Sequence, residues 1–303
     1  MFTTSCLRLA FLQRLSVILV AAFGGLCTFS ACSGTSDEFP SDSKSRVCVD
    51  VSGFYFKVGD MGIPTRSDGD VASAATRLSF AVFSADGELV EDVIHQQSSS
   101  DGFGTVEMEL YPGTYQLVAV AHSGTTDAVI TSPSSVTLPG ITYTDTFAKV
   151  QSLTVESNTD CDLSMTLSRL TSAFILQLVD TPPAHVKEIE VVVNALGAEP
   201  TALEINPNTG VATKHLKQKC TLPVADLSEE VPVYFIGVVK SSTVTVIATA
   251  YDEEGNEVIS HTLNTVPLDA NRKTIATGTF FQSQGAGTFT INTAWGDDWE
   301  VDY

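Results

Sequence analysis

The chain has 303 residues, 43% of them apolar, with 16 basic and 36 acidic residues and a formal net charge of −20. That is enough apolar material for one large core, or for the two cores of ordinary domain size expected here. The acidic field repels nucleic-acid phosphates and anionic lipid surfaces, so nucleic acid is excluded as a partner, while nothing about the fold follows from charge.

Taken in chain order, the first signal is N-terminal. Arg8 and Arg14 precede an apolar run at 15–26, and the small residues Ser30 and Ala31 follow, which is the order of a secretory signal. The run is too short to span a bilayer comfortably. Phe29-Ser30-Ala31-Cys32 resembles the bacterial lipobox, in which small residues before a cysteine admit the signal peptidase and leave the thiol to carry lipid. Residues 1–31 therefore read as a lipoprotein signal peptide and Cys32 as the lipidated residue of an outer-membrane lipoprotein exposed on the cell surface. Each buried lipid methylene contributes roughly 0.8 kcal/mol, so a multiply acylated Cys32 anchors the chain firmly. Residues 32–46 are polar and aperiodic and read as a flexible acidic tether. Its Asp37, Glu38 and Asp42 resemble the surface-export signal of Bacteroidota lipoproteins.

Beyond the tether the pattern is that of strands. A first strand is expected at 48–58 and one short helical turn at 72–77. Leu78, Phe80 and Val82 alternate on one face, and Asp86-Gly87 then predicts a hairpin turn before Leu89 and Val90. Val106, Met108 and Leu110 alternate in the same way, Pro112-Gly113 turns the chain, and 115–121 returns as a buried run, which together predict a β-meander. After a change of texture near Leu167, strands are expected at 173–179, 189–194, 231–239, 244–251 and 258–263, the last two joined by a hairpin loop at Glu254-Gly255-Asn256. Many short strands without alternating helices predict an all-β chain of sandwich or barrel domains.

The chemistry-bearing residues converge on nothing. His95, His122, His185, His215 and His261 lie far apart, and none has a partner at metal-ligand or nucleophile spacing. Asp297-Asp298 and Glu253-Glu254 are adjacent carboxylates, which in strands point to opposite faces and cannot flank one bond. Asp68-Gly69-Asp70 lacks the further ligands of a calcium loop. The expectation is a protein that is not an enzyme and carries neither cofactor nor metal. Trp295 and Trp299 read as a sugar-stacking platform or as strand residues facing a core or partner. Cys48, Cys161 and Cys220 remain in the mature part, without a Cys-x-x-Cys, and leave open a Cys161 to Cys220 disulfide or buried free thiols.

The lipobox, the acidic tether, the strand at 48–58, Pro64-Thr65-Arg66, Leu78-Ser79-Phe80-Ala81-Val82-Phe83, Tyr111-Pro112-Gly113-Thr114-Tyr115 and, late in the chain, Val266-Pro267-Leu268-Asp269-Ala270-Asn271 occur in an order that resembles the Bacteroidales fimbrillins. These are the FimA-like subunits of type V pili and their anchor and tip relatives. The resemblance implies two tandem transthyretin-like Greek-key β-sandwich domains, here 47–168 and 169–303. It implies maturation by an arginine-specific or trypsin-like protease, with Arg66 as the cut site in an exposed polar stretch and Arg46 and Arg77 as rivals. Loss of the propeptide strand within 47–66 would open an apolar groove for a strand of another fimbrial subunit. The donor implied is 288–303, where Phe289 and Ile291 alternate on one side ahead of Trp295; the same pattern suits the last strand of the second domain.

The function implied is that of a structural subunit of bacterial surface fimbriae that polymerises with like or unlike subunits and supports adhesion to a host or bacterial ligand. If Arg66 stays uncut, Cys32 keeps the chain tethered and an anchor or accessory subunit is implied instead. A surface glycan-binding lipoprotein is the alternative from another class.

Overall fold

A computed structural model of the chain describes residues 43–55, 71–139, 144–193, 202–214, 218–223, 231–236, 242–282 and 289–292. The signal peptide, Cys32, most of the tether, Asp68-Gly69-Asp70, Arg66, His215, Asp297-Asp298, Trp295 and Trp299 lie outside the described residues.

The chain is all β apart from the turn α1 (Val71–Ala74). The first half contributes β1 (Ser45–Tyr55), β2 (Arg77–Ser84), β3 (Ile94–Gln97), β4 (Thr105–Leu110), β5 (Gly113–His122), β6 (Val129–Ser132), β7 (Ser135–Pro139), β8 (Thr146–Val155) and β9 (Cys161–Arg169). The second half contributes β10 (Thr171–Leu178), β11 (Val186–Val193), β12 (Ala202–Ile205), β13 (Ala212–Lys214), β14 (Gln218–Pro223), β15 (Val231–Ile236), β16 (Ser242–Asp252), β17 (Glu257–Leu268), β18 (Lys273–Gly278) and β19 (Phe289–Asn292).

Seven strands of the first half form one ladder in the order β3-β2-β5-β8-β9-β1-β4. The ladder is thin at one point, where β8 meets β9 through only Phe147↔Arg169 and Ala148↔Ser168. There it turns a corner and becomes a sandwich. Leu78, Phe80, Leu117, Phe147 and Leu153 from β2, β5 and β8 share one buried cluster with Val47, Val49, Val106, Met165 and Leu167 from β1, β4 and β9. Period-two alternation produces this in each strand, since side chains two residues apart face the same side.

The second half repeats the order strand for strand. The sheet β14-β11-β16-β17 matches β3-β2-β5-β8, and β15-β10-β18 matches β4-β1-β9, with the same directions throughout. In each half the first strand lies parallel to the seventh and antiparallel to the fourth. The second half then adds β19 beyond β18.

The expected boundary between 168 and 169 falls one residue before the end of β9, and the halves share a sheet. β7 pairs with β12 over Val136↔Ile205 to Pro139↔Ala202, giving the order β13-β12-β7-β6. A buried ion pair lies at the same junction. Arg169 donates to Asp145 at 2.8 Å, Thr171 donates to the other carboxylate oxygen at 2.6 Å, and the Asn271 backbone N–H reaches Thr171 O at 2.7 Å. The Arg169 and Asp145 side chains are 1% and 5% exposed, so removing either partner would leave an unpaired charge in the interior.

One local expectation is corrected. β4 and β5 are not a hairpin of a meander, because β4 pairs with β1 while β5 pairs with β2 and β8. The chain changes sheets at Tyr111-Pro112, where the buried Tyr115 hydroxyl donates to Tyr111 O at 2.8 Å and fixes the corner. Asp86-Gly87 makes the expected hairpin turn, with Gly87 at φ +84°, Ser84 N–H donating to Glu88 O at 2.8 Å and Val90 N–H to Val82 O at 2.9 Å, while β3 pairs with the earlier residues of β2. Leu89 touches it through a single bridge to Phe83, and both Leu89 and Val90 stay exposed. β16 and β17 also form the expected hairpin, with Gly255 at φ +79° and the Asp252 carboxylate accepting from the Glu254 and Asn256 N–H groups.

His122 ends β5 with its ring 3% exposed and its Nδ1 accepting from Gly124 N–H at 3.0 Å. Burial, aided by Arg77 and opposed by Asp127, pushes its pKa down from 6.5 to about 4. As pH falls the unfolded chain takes the proton first, so the neutral ring's contribution is complete above 6.5 and is lost between 6.5 and 4, by about 3 kcal/mol. His122→Asn, which keeps an acceptor but does not titrate, should flatten the stability profile over that window in urea titrations against the parent chain. An unchanged profile would show that His122 does not carry it.

Candidate functional site

The feature with functional content is the place of β1. It lies inside its sheet rather than at an edge, antiparallel to β4 over Ser45↔Leu110 to Asp50↔Thr105 and parallel to β9 over Val47↔Cys161 to Tyr55↔Ser168, with a bulge between Val51 and Gly53. Its inward face is Val47, Val49 and Val51, at 0%, 0% and 3% exposure. Each valine buried at that depth contributes roughly 1.5–3 kcal/mol, and both edges of the strand add ladder hydrogen bonds.

The outward face is polar. Arg46 meets Glu107 of β4 at 2.5 Å and Asp162 of β9 at 3.5 Å. Thr105 donates to Asp50 at 2.9 Å and Ser164 to Ser52 at 2.7 Å, so the neighbours on both sides are tied to β1 by side chains as well. Before β1, Lys44 pairs with Glu91 at 3.1 Å above the Tyr111 ring, and that hydrogen bond raises the Lys44 pKa above its ordinary value. These contacts are solvent-exposed and weak, so the valines and the ladder hold the strand.

Of the three arginines proposed for cutting, Arg46 lies within β1, in ladder with Glu109 of β4 and with its side chain paired to Glu107 and Asp162, and Arg77 lies in β2 between β3 and β5. Late in the chain, β19 pairs among the described residues with β18 alone, through four residue pairs from Ile275↔Asn292 to Gly278↔Phe289. Phe289 sits edge-on against His261 at 5.5 Å and Phe280 at 6.2 Å between ring centroids, and His261 Nε2 meets Phe280 O at 2.8 Å. The Asp180 carboxylate accepts from the N–H groups of Phe280 and Phe281 at 2.7 and 2.6 Å and fixes that aromatic platform.

Cys161 and Cys220 are free thiols, not a disulfide. Cys161 packs against the first core and Cys220, on β14, against the second, and partial burial pushes the Cys220 thiol pKa up. Cys48 is also free, on the outward face of β1. Among the described residues no three His, Cys, Asp or Glu side chains gather as a metal site. His95 bonds Ser79 at 2.8 Å, and His122 and His261 are engaged in structure as above. A cavity of about 400 Å³ opens where β8 and β9 diverge, lined by Lys149, Val150, Thr166, Ser168, Asn208 and Asn271 among others.

A model of the family of unknown function DUF6562 matches residues 57–303, the part of the chain that follows β1. No curated protein matches. Among solved structures, the chain is similar to a candidate polysaccharide-binding protein (DUF1812) from Bacteroides thetaiotaomicron, with a TM-score of 0.50 and 13% identity over 84% of this chain and 99% of that one. It is also similar to the fimbrial anchor protein Mfa2 from Porphyromonas gingivalis, with a TM-score of 0.45 and 11% identity over 83% and 98%. A fimbrial assembly protein from Parabacteroides distasonis matches with a TM-score of 0.44 and 12% identity over 83% and 96%. These likenesses concern the fold.

Val49→Ala should lower the stability of the uncut chain by roughly 2 kcal/mol, since it deletes two methyl groups at a fully buried position. Arg46→Ala should leave the urea midpoint within experimental scatter. A reversed order would place the hold on β1 in its ion pairs.

Proposed function

The chain belongs to the DUF6562 family, whose function is unknown, and for it we propose a role as a surface fimbrial subunit that assembles by proteolysis-triggered strand exchange and serves adhesion. The observation that carries this reading is β1 itself, a buried central strand drawn from the very start of the described chain. A central strand cannot leave without opening a slot. Between β4 and β9 that slot would present two rows of unpaired backbone groups and the apolar positions that Val47, Val49 and Val51 now cover. Such a slot is costly when empty and favourable when another chain's strand fills it.

Cutting after Arg66 removes β1 whole, whereas a cut at Arg46 leaves most of the strand in place and one at Arg77 enters β2. Protease sites need an extended, unpaired segment, which the ladders of β1 and β2 deny to Arg46 and Arg77. The donor is the C-terminal segment 288–303. Its described part, β19, is short and bonded on one side only, which places it among the more separable elements of the fold. Phe289 and Ile291 then supply the alternate apolar side chains that the slot requires, with Trp295 following. The repeated strand order, with the first strand of each half parallel to the seventh, supports the reading of two transthyretin-like sandwiches. Cys32 would carry the lipid that brings the chain to the outer surface, and in an uncut chain it would remain as the anchor of the fibre.

N-terminal sequencing of the protein recovered from surface fibres tests this directly. A terminus at Ser67 is expected for a polymerising subunit and an acylated Cys32 for an anchor; absence of the protein from every fibre would overturn both. Deleting 288–303 from the cut chain should give folded monomers in sedimentation runs, and fibres from that truncation would refute the donor role.

A further inference from the structure

The internal repeat shows a place that is filled in one half and open in the other. In the second half β18 is bonded on both sides, by β10 and by β19. In the first half the equivalent strand, β9, is bonded by β1 along its length, but on its other side only Ser168 and Arg169 have partners, on β8. From Cys161 to Leu167 that second edge has no strand partner among the described residues. An edge of this kind is a template for another strand.

The side chains beside the edge fit an unfilled position. Cys161 and Leu163 face inward with Met165 and Leu167, yet are only half-buried where those two are fully buried. On β8, Lys149 and Gln151, which the antiparallel register sets toward Leu167 and Met165, lie on the same face as Phe147, Leu153 and Val155 and are half-buried. The Gln151 carboxamide oxygen is buried and has no hydrogen-bond partner. At the Ser168 end of this edge, on the outward face of β9, a cavity lies between Lys149, Val150, Thr166 and Ser168 and the second half's Asn208 and Asn271. In the second half β19 occupies the corresponding side, and its Phe289 covers the core by packing on His261 of β17, the counterpart of β8.

We propose that the open edge of β9 is a second strand-acceptor site, distinct from the β1 slot, and that its occupant is the β19 segment of a second copy of this chain. The repeat supplies the argument for the occupant, because this segment already satisfies the same edge of the same sandwich order within the chain. It would add antiparallel to β9 with Phe289 and Ile291 turned toward Leu163 and Cys161, and the exposed row Asp162, Ser164 and Thr166 would stay on the solvent face. Because β1 need not leave, this contact is available to uncut chains and brings two copies together before any strand exchange. It rests on the fold alone and survives failure of the proteolytic reading.

The test uses the full chain with Arg66→Ala, so that β1 keeps its slot, and a synthetic peptide of the sequence Thr288 to Trp295 as the probe. Cys161, half-exposed and free, reports on the edge. Expected are saturable peptide binding at micromolar concentration and slowed alkylation of Cys161 with that of Cys48 and Cys220 unchanged, both lost in Leu163→Lys. Because Leu163 also packs on the first core, Thr166→Pro serves as a second block, and circular dichroism with an unaltered urea midpoint is required of whichever variant is used. Undiminished Cys161 alkylation at millimolar peptide, or binding that persists in a folded blocked variant, would overturn the proposal.

Discussion

The fold depends on a strand that contributes nothing to local chain continuity. Val47, Val49 and Val51 arrive from the N-terminal side and close the gap between β4 and β9, which are 51 residues apart from the end of one to the start of the other (Leu110 to Cys161). Those two strands have no ladder with each other. Without β1 the second sheet of the first sandwich is two separate strands, and the core face of Met165, Leu167, Val106 and Leu110 is uncovered. The valines are therefore a structural keystone carried by the first strand of the described chain.

The repeat gives that arrangement its meaning. β10 plays the part of β1 in the second half, with Phe174 and Leu176 in place of the valines, but it follows directly after β9 with only Leu170 between. It is locked there by the buried Arg169, Asp145 and Thr171 group and cannot be released by one cut. Two halves of one order thus differ in how closely the first strand follows the preceding element, and differ again in whether the last edge is closed by β19. Where the halves join, the β7–β12 pairing and the buried ion pair make the connection specific, since a charge left unpaired there is strongly unfavourable.

Much of this was legible in the residues. Alternation at 78–82 and 106–110 and apolar runs at 173–179 and 244–251 gave the strands, and Glu254-Gly255-Asn256 gave its hairpin because the turn chemistry is local. β9 was also readable, since Cys161, Leu163, Met165 and Leu167 alternate with Asp162, Ser164 and Thr166, but its abrupt passage into β10 hides the break. What the residues could not carry was partner choice. The meander through Pro112 was wrong because a turn signal says that the chain reverses and not which sheet it enters; the Tyr115 to Tyr111 bond sends it across the sandwich. The β7–β12 pairing joins segments more than 60 residues apart with ordinary period-two patterns, which fit many edges equally well.

For the account as a whole, the decisive quantity is the protection of β4 and β9 against amide hydrogen exchange. It should be followed in the uncut chain, in the cut chain lacking 288–303, and in assembled fibres. The account predicts protected amides at Thr105–Leu110 and Cys161–Arg169 in the first, loss of that protection in the second while β2 and β5 stay protected, and its return in the third. Equal protection of β4 and β9 before and after cutting would contradict it, because the slot that defines the proposed assembly would then never open.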